Sequence, residues 1–224
     1  MNNAIIIYSR MGSSRLPGKA TKFISEYPLL EHIVLRIKKI ENKIENLSII
    51  IATTVNREDD IISEIAEKLN VECFRGHPTD LIDRTSKIIN KHKLDTFCRV
   101  NGDCPFVDAN LILKGYDILK NSNYLLVTNI LKRTFPYGVA VEWVDCKKYL
   151  ELNNNVKDVE LEHVTMHLYK DLSKNEIYNI ENDLDYSHLE LAVDLPADLT
   201  RIKSYFDNNK NISCQELNFK QLNN

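Results

Sequence analysis

The stretch Ala4-Ile5-Ile6-Ile7-Tyr8-Ser9-Arg10-Met11-Gly12-Ser13-Ser14-Arg15-Leu16-Pro17-Gly18-Lys19-Ala20 decides how this chain is read. Its first four residues form an unbroken apolar run rich in β-branched side chains, the pattern of a strand buried on both faces. From Tyr8 to Ala20 there follow two glycines, two arginines, one lysine, three serines and one proline, with no acid. Glycine lets a backbone come close to a ligand, serines and amides donate hydrogen bonds, and Arg10, Arg15 and Lys19 add fixed charge. At the C-terminal end of a first strand, that composition predicts a phosphate site. An ordinary basic loop is the plainer reading, and three cations with two glycines weigh against it.

The spacing excludes two familiar phosphate loops. Gly12 and Gly18 stand one residue too far apart for a Walker A loop, and Ala20 replaces its metal-binding Ser or Thr. Ser14 occupies the place of the second glycine in a dinucleotide fingerprint. Pro17 keeps a helix from starting directly after the strand. The loop is therefore expected to be long and to wrap its ligand from several sides.

Working outward, the chain alternates between two periods. Helical spacing begins at Pro28 and runs through Leu29, Leu30, Ile33, Val34, Ile37 and Ile40. A buried strand, Leu47 to Ala52, ends in Thr53-Thr54, and Glu58 to Leu69 returns to helical spacing. Val71 to Phe74 reads as a short strand before Arg75-Gly76-His77-Pro78. Thr79 is the expected N-cap of a helix carrying Leu81, Ile82, Ile88 and Ile89. Thr96 to Val100 is the fourth strand. This order predicts an α/β fold with a mainly parallel sheet and helices on both faces, whose ligands bind at the strand C-termini.

The second half is less regular. Asn110 to Lys120 reads as a helix and Tyr124 to Val127 as a strand. Lys132 to Val144 holds Phe135-Pro136-Tyr137-Gly138 and then alternates Val139, Val141 and Trp143, which predicts a hairpin-like excursion from the sheet. Val159 to Tyr169 is expected to be helical and Leu189 to Val193 a strand. A last helix runs from about Ala197 to Phe206, and the final dozen polar residues are expected to fray.

At 224 residues the chain suits one domain with a sizeable core, and its 43% hydrophobic content is ordinary for a soluble protein. A net charge of -3 argues against a general binder of nucleic acid or membrane surfaces. No apolar run is long enough to span a bilayer, and no leader pattern opens the sequence. Cys73, Cys98, Cys104, Cys146 and Cys214 are scattered and odd in number, which predicts reduced thiols in a cytoplasm.

Two acids follow predicted strands and precede proline-marked turns: Asp103 in Arg-Val-Asn-Gly-Asp-Cys-Pro and Asp194 in Leu-Ala-Val-Asp-Leu-Pro. Either alone is most simply a helix cap. If both strands share one parallel sheet, both carboxylates emerge beside the cationic loop, and one or two acids beside a polyphosphate are how Mg²⁺ is held. His163 and His167 have zinc-pair spacing, but Val164 replaces the glutamate of that motif, so a packed polar face is the simpler reading. Cys104 adjoins Asp103, which disfavours its thiolate.

Taken together these motifs resemble the cytidylyltransferases of activated-sugar synthesis, the CMP-KDO and CMP-acylneuraminate synthetases, and most of all the spore-coat polysaccharide SpsF branch. The resemblance runs from Ser9–Lys19 through Ile51-Ala-Thr-Thr54, Glu58-Asp-Asp60, Phe74-Arg-Gly76, Asp80–Arg84, Arg99–Pro105, Arg133–Gly138, Glu162–Thr165 and Leu191–Pro196. It covers roughly residues 4 to 206. It implies a Rossmann-like nucleotidyltransferase fold in a single domain over residues 1–224. An acceptor-binding and dimerisation excursion around residues 130–145, use of CTP with Mg²⁺, and a homodimer are implied as well.

By position, the resemblance makes Lys19, Asp103 and Arg15 catalytic, with Arg10, Ser13, Arg15 and Lys19 on the triphosphate. Arg84 and Asn101 would lie by the nucleoside, and Ser9, Met11, Gly12 and Thr53 would complete the nucleotide site. Asp103 and Asp194 would be the metal ligands. Arg133, Tyr137, Glu142 and His163 would face the acceptor. Ala140 stands where the branch often has an acid and Met166 where it has a proline, both in the acceptor half.

The implied reaction is attack of an acceptor oxygen, from a sugar hydroxyl, phosphate or phosphonate, on the α-phosphorus of CTP with in-line loss of pyrophosphate. Three alternatives stay open: another nucleoside triphosphate, a GT-A-like glycosyltransferase, and a non-catalytic nucleotide-binding protein. The glycosyltransferase would need an Asp-x-Asp after the fourth strand, which is absent here, and would release nucleoside diphosphate.

Overall fold

The computed structural model describes residues 1–153, 156, 161–213 and 215–222. In chain order the elements are β1 (Asn3–Tyr8), β2 (Phe23–Ile24), β3 (Tyr27–Pro28), α1 (Leu29–Lys38), β4 (Leu47–Thr54), α2 (Asp60–Lys68), β5 (Glu72–Gly76), α3 (Leu81–His92) and β6 (Thr96–Asn101). Then come α4 (Ala109–Lys120), β7 (Leu126–Thr128), β8 (Glu142–Asp145), α5 (Cys146–Leu152), α6 (Leu168–Asp171), β9 (Ile177–Asn179) and α7 (Pro196–Asn208).

The apolar run of β1 sits in the middle of a seven-stranded sheet of order β5-β4-β1-β6-β8-β7-β9. β1 pairs in parallel with β4 and β6, and β4 in parallel with β5. β8 lies antiparallel to both β6 and β7, which form the expected hairpin and its seam, while β9 is parallel to β7. The two-residue period of a strand sends Ile5 and Ile7 into one core with α1, α2, α4 and α7. Ala4, Ile6 and Tyr8 enter a second core with α3, α5 and α6. Each isoleucine of β1 is fully buried, worth about 1.5–3 kcal/mol apiece, which anchors the loop that follows.

Several boundaries differ from the sequence expectation. Asp80, not Thr79, caps α3, its carboxylate accepting from the Asp83 N–H at 2.7 Å. The strand expected over Leu189 to Val193 is an extended segment with a single bridge, Glu190 to Tyr137. Its N–H groups go elsewhere: Leu191 donates to the Tyr137 carbonyl at 2.7 Å and Val193 to that of Asp103 at 2.8 Å. The helix expected over Val159 to Tyr169 begins at residues outside the described set, and residues 161–167 are turns, with helix only at α6. The expected terminal fraying is countered by Leu217 and Phe219, both buried. The Phe219 ring meets Phe135 and Tyr186 edge-on, and Arg36 donates to the Leu217 carbonyl at 2.6 Å. Among the described residues no helix is long and apolar enough to cross a membrane.

Candidate active site

The loop after β1 closes on its own backbone. The Met11 carbonyl accepts from the Ser13 N–H at 2.8 Å and from the Gly18 N–H at 2.9 Å, and buried Leu16 and Ala20 tie the loop to the core. A 3-10 turn at Lys19–Thr21 follows. Beside the loop the end of β6 comes unusually near. The Gly102 N–H donates to the Tyr8 carbonyl at 2.8 Å, and a Cβ on Gly102 would lie 2.7 Å from both that oxygen and the Ser9 Cβ. Only glycine allows this approach, and it carries Asp103 to the loop.

Asp194 arrives from the far end of the chain, brought in by the Val193 bond to the Asp103 carbonyl. The Asp194 and Leu195 N–H groups donate to the Asp198 carboxylate at 3.1 and 2.8 Å, which fixes the turn into α7. Burial works against that carboxylate, but these N–H groups and Arg201 hold its pKa below the ordinary aspartate value.

Lys19 joins the two acids. Its Nζ donates to Asp103 Oδ2 at 2.7 Å, to Asp194 Oδ1 at 3.1 Å and to the Val193 carbonyl at 3.1 Å. Arg15 lies 3.2 Å from the second Asp194 oxygen. The Lys19 side chain is only 15% exposed. Burial pulls its pKa down, but the two carboxylates outweigh that and leave it raised, so the ammonium stays charged at neutral pH.

Around these groups lies a groove of about 300 Å³, at the lower end of small-molecule sites. The structure places Ser9, Arg10, Ser13, Arg15 and Lys19 on its loop side and Asn101, Asp103 and Asp194 on the sheet side. Arg84 forms part of its wall, though its guanidinium is buried and donates to the carbonyls of His77 and Pro78. Burial lowers its pKa.

Met11, Gly12 and Thr53 do not line the groove. Met11 and Gly12 shape the loop from behind, and Thr53 is fully buried in β4. Tyr8, Ser14, Leu81, Gly102 and Glu162 line the groove without having been picked from the sequence. For Glu162 the sequence does hold a signal, since it opens the Glu-His-Val-Thr motif beside His163.

Of the four residues expected to face an acceptor, Tyr137 stands near the acid pair. Burial first, then Asp194 and Asp103, raises its phenol pKa. The Arg133 guanidinium covers the Tyr137 ring at 5.4 Å from its centroid. The other two expected residues lie apart. Glu142 is fully buried on β8, where it pairs with Arg99 and accepts from the hydroxyls of Thr165 at 2.8 Å and Tyr169 at 2.7 Å. With both oxygens taken inside the protein, it does not line this groove. His163 is exposed and also lies outside the groove. His167 is buried with its ring against Tyr149, so the two histidines share no helix face. Cys104 is buried, and burial followed by Asp103 pushes its thiol pKa well up, the opposite of a nucleophile.

No cluster of three or more His, Cys, Asp or Glu suited to a metal exists among the described residues. Two carboxylates converging on one cation are nevertheless the donor set for Mg²⁺ that arrives with phosphate oxygens of its own. Lys19 Nζ occupies the shared position.

A mainly parallel sheet with a cationic loop and Asp103 just beyond its strand ends, and with Asp194 brought beside them, is the Rossmann-like nucleotidyltransferase fold. The family described as Cytidylyltransferase matches residues 4–214, and the chain belongs to it. A cytidylyltransferase structure from Leptospira borgpetersenii superposes with a TM-score of 0.90 at 29% identity, covering 99% of this chain and 92% of that one. The spore coat polysaccharide biosynthesis protein SpsF of Bacillus subtilis is 28% identical over 218 residues, 92% of this chain and 87% of its own length. A CMP:2-keto-3-deoxy-manno-octonic acid synthetase complexed with CTP shares the fold, with a TM-score of 0.67 at 15% identity over 93% of this chain and 99% of that one.

Proposed function

We propose that this chain transfers CMP from CTP to a small acceptor with release of pyrophosphate, as a step in surface polysaccharide or glycan synthesis. The observation that carries the reading is the meeting of Lys19 with Asp103 and Asp194 beside the cationic loop. Family membership supports the nucleotide, and the printed role of the Bacillus relative supports the pathway class.

An acceptor oxygen, which as a hydroxyl gives up its proton to water, forms a bond to the α-phosphorus, the bond from that phosphorus to the bridging oxygen breaks, and its electron pair leaves with pyrophosphate. Arg10, Arg15 and Lys19 neutralise the charge that grows on the leaving group, and the fixed loop holds it in line. Mg²⁺ held by Asp103 and Asp194 would supply Lewis-acid polarisation of the phosphate. Tyr137 and Arg133 face the acceptor, which is a sugar, sugar phosphate or phosphonate. The protein acts in the cytoplasm as a homodimer formed through the excursion around residues 130–145, where Leu131 and Tyr137 are exposed.

A thermal-shift panel of the four ribonucleoside triphosphates with Mg²⁺ tests the nucleotide, since a ligand of the native state raises the midpoint. CTP is expected to give the largest rise, and pyrophosphate is expected on adding the right acceptor. A larger rise with another triphosphate, or release of nucleoside diphosphate, overturns the reading.

A further inference from the structure

Behind the cationic loop and outside the groove lies a carboxylate with no assigned part in the reaction. Asp59 ends the 3-10 turn Arg57–Asp59 and is fully buried. Its Oδ1 accepts from the Met11 N–H at 2.7 Å. Its Oδ2 accepts from the Thr54 N–H at 3.2 Å and from the Thr54 hydroxyl. Met11 is the residue on whose carbonyl the loop closes, through Ser13 and Gly18. The same turn meets the loop a second time, for a Cβ on Gly12 would lie 2.7 Å from Glu58 Oε1.

We propose that Asp59 is the positioning residue of the loop. One carboxylate fastens the Met11 peptide to the end of β4, and through Met11 it sets where Ser13, Arg15 and Lys19 stand. Charge alone would argue the other way: a buried anion behind a loop that receives a polyanion opposes binding. Its contribution must therefore come from geometry, through three donors held on one rigid group. The plain alternative is that Asp59 only closes the β4–α2 turn on Thr54. The two differ in whether the Met11 bond matters.

The inference rests on the reading of the groove as a CTP site, and its test separates the two. Asp59→Asn keeps the size and leaves one acceptor oxygen where there were two, so the Met11 and Thr54 N–H groups can no longer both be satisfied. Thr54→Val removes the turn's hydroxyl and leaves the Met11 bond. Trypsin cleavage after Arg10, Arg15 and Lys19, measured against cleavage elsewhere by mass spectrometry, reports the loop without any nucleotide. For Asp59→Asn the loop sites are expected to be cut about five times faster relative to the rest, with CTP affinity about tenfold weaker and kcat also reduced. Thr54→Val is expected to leave both ratios within about twofold. Cleavage rising equally at all sites, or Thr54→Val matching Asp59→Asn, overturns the proposal.

Hydrogen exchange on the unaltered protein covers the case in which Asp59→Asn does not fold. The Met11 amide is expected to exchange as slowly as the β1 amides, and exchange at the rate of an open loop overturns the proposal. Absence of CTP binding by the unaltered protein counts against the proposed function and leaves the loop readouts standing.

Discussion

The two halves of the sheet place their functional groups by different means. In the parallel half, β4, β1 and β6 end at one edge, so a residue just after a strand is at the groove. The cationic loop and Asp103 follow that rule. In the antiparallel half the strands are three or four residues long, and the connecting chain is placed by individual polar bonds. Buried Asn129 donates to the Val139 carbonyl at 2.6 Å and accepts from the Val141 N–H at 2.9 Å. Tyr137 is held by residues 189 and 191, and the Asn182 N–H donates to the Thr134 hydroxyl at 2.7 Å. One half positions its chemistry by ladder geometry, the other by a set of individual hydrogen bonds, some from side chains and some from the backbone. The first should lose activity without losing its fold, and the second should lose fold and activity together.

Asp103→Ala is the sharpest test of the first half. Turnover is expected to fall by on the order of 10³ or more, while circular dichroism and the thermal midpoint stay near those of the unaltered protein. An active mutant at ordinary Mg²⁺ would sink the assignment of Asp103.

In the other half the largest effect is expected at Glu142. Glu142→Gln leaves the Arg99 guanidinium without its buried counter-charge, which costs about 3 kcal/mol and should lower the urea midpoint at constant slope. A midpoint unchanged within error would mean that Arg99 reaches water on its own.

Gly138→Ala tests the join between the halves. Gly138 has φ +95°, and an added Cβ would sit 2.5 Å from the backbone nitrogen of Ala192, on the segment that leads to Asp194. A loss of about 2 kcal/mol is expected, together with reduced transfer. Nucleotide affinity is expected to hold, and a titration with CTP distinguishes the two.

The smallest effect expected is pH-dependent and belongs to the parallel half. Burial lowers the pKa of His32 below the ordinary value, with the Ile24 carbonyl opposing. The folded state therefore binds the proton less readily than the unfolded chain, so stability is full above about pH 6.5 and declines as pH falls toward the depressed value. His32→Gln is expected to flatten that decline in urea titrations between pH 7.5 and 5.5.

Most of the parallel half was legible because its strands are continuous β-branched runs and its helices keep a 3.6 period. The loop declared itself by glycine, serine and charge. Asp194 was found through a strand that does not exist: the apolar alternation of Leu191 and Val193 is real, but the backbone bonds go to Tyr137 and Asp103 instead of a ladder. Glu142 is set before the acceptor by the resemblance alone. Alternation with Val141 and Trp143 turns it to the opposite face of β8. Both sides are covered, so the carboxylate is interior and needs Arg99. Residues 161–167 carry helical spacing and turn instead, because the Leu161 carbonyl is held by the Leu81 N–H at 2.8 Å and the Thr165 hydroxyl by Glu142. Such long-range pins leave no local pattern. Asp59 lies within the Glu58–Asp60 motif, yet nothing local in the sequence marks Met11 as its partner.

The bond from Val193 to the Asp103 carbonyl also sets an order of assembly. The loop and Asp103 are synthesised well before the second carboxylate, Asp194. Closing so long a contact is a slow event in folding. A growing chain can complete β1, β4, β5 and β6 and their helices while Lys19 has one acidic partner rather than two. The acid pair forms only once the ribosome has released residue 194, so this site acquires its chemistry after the sheet that carries it.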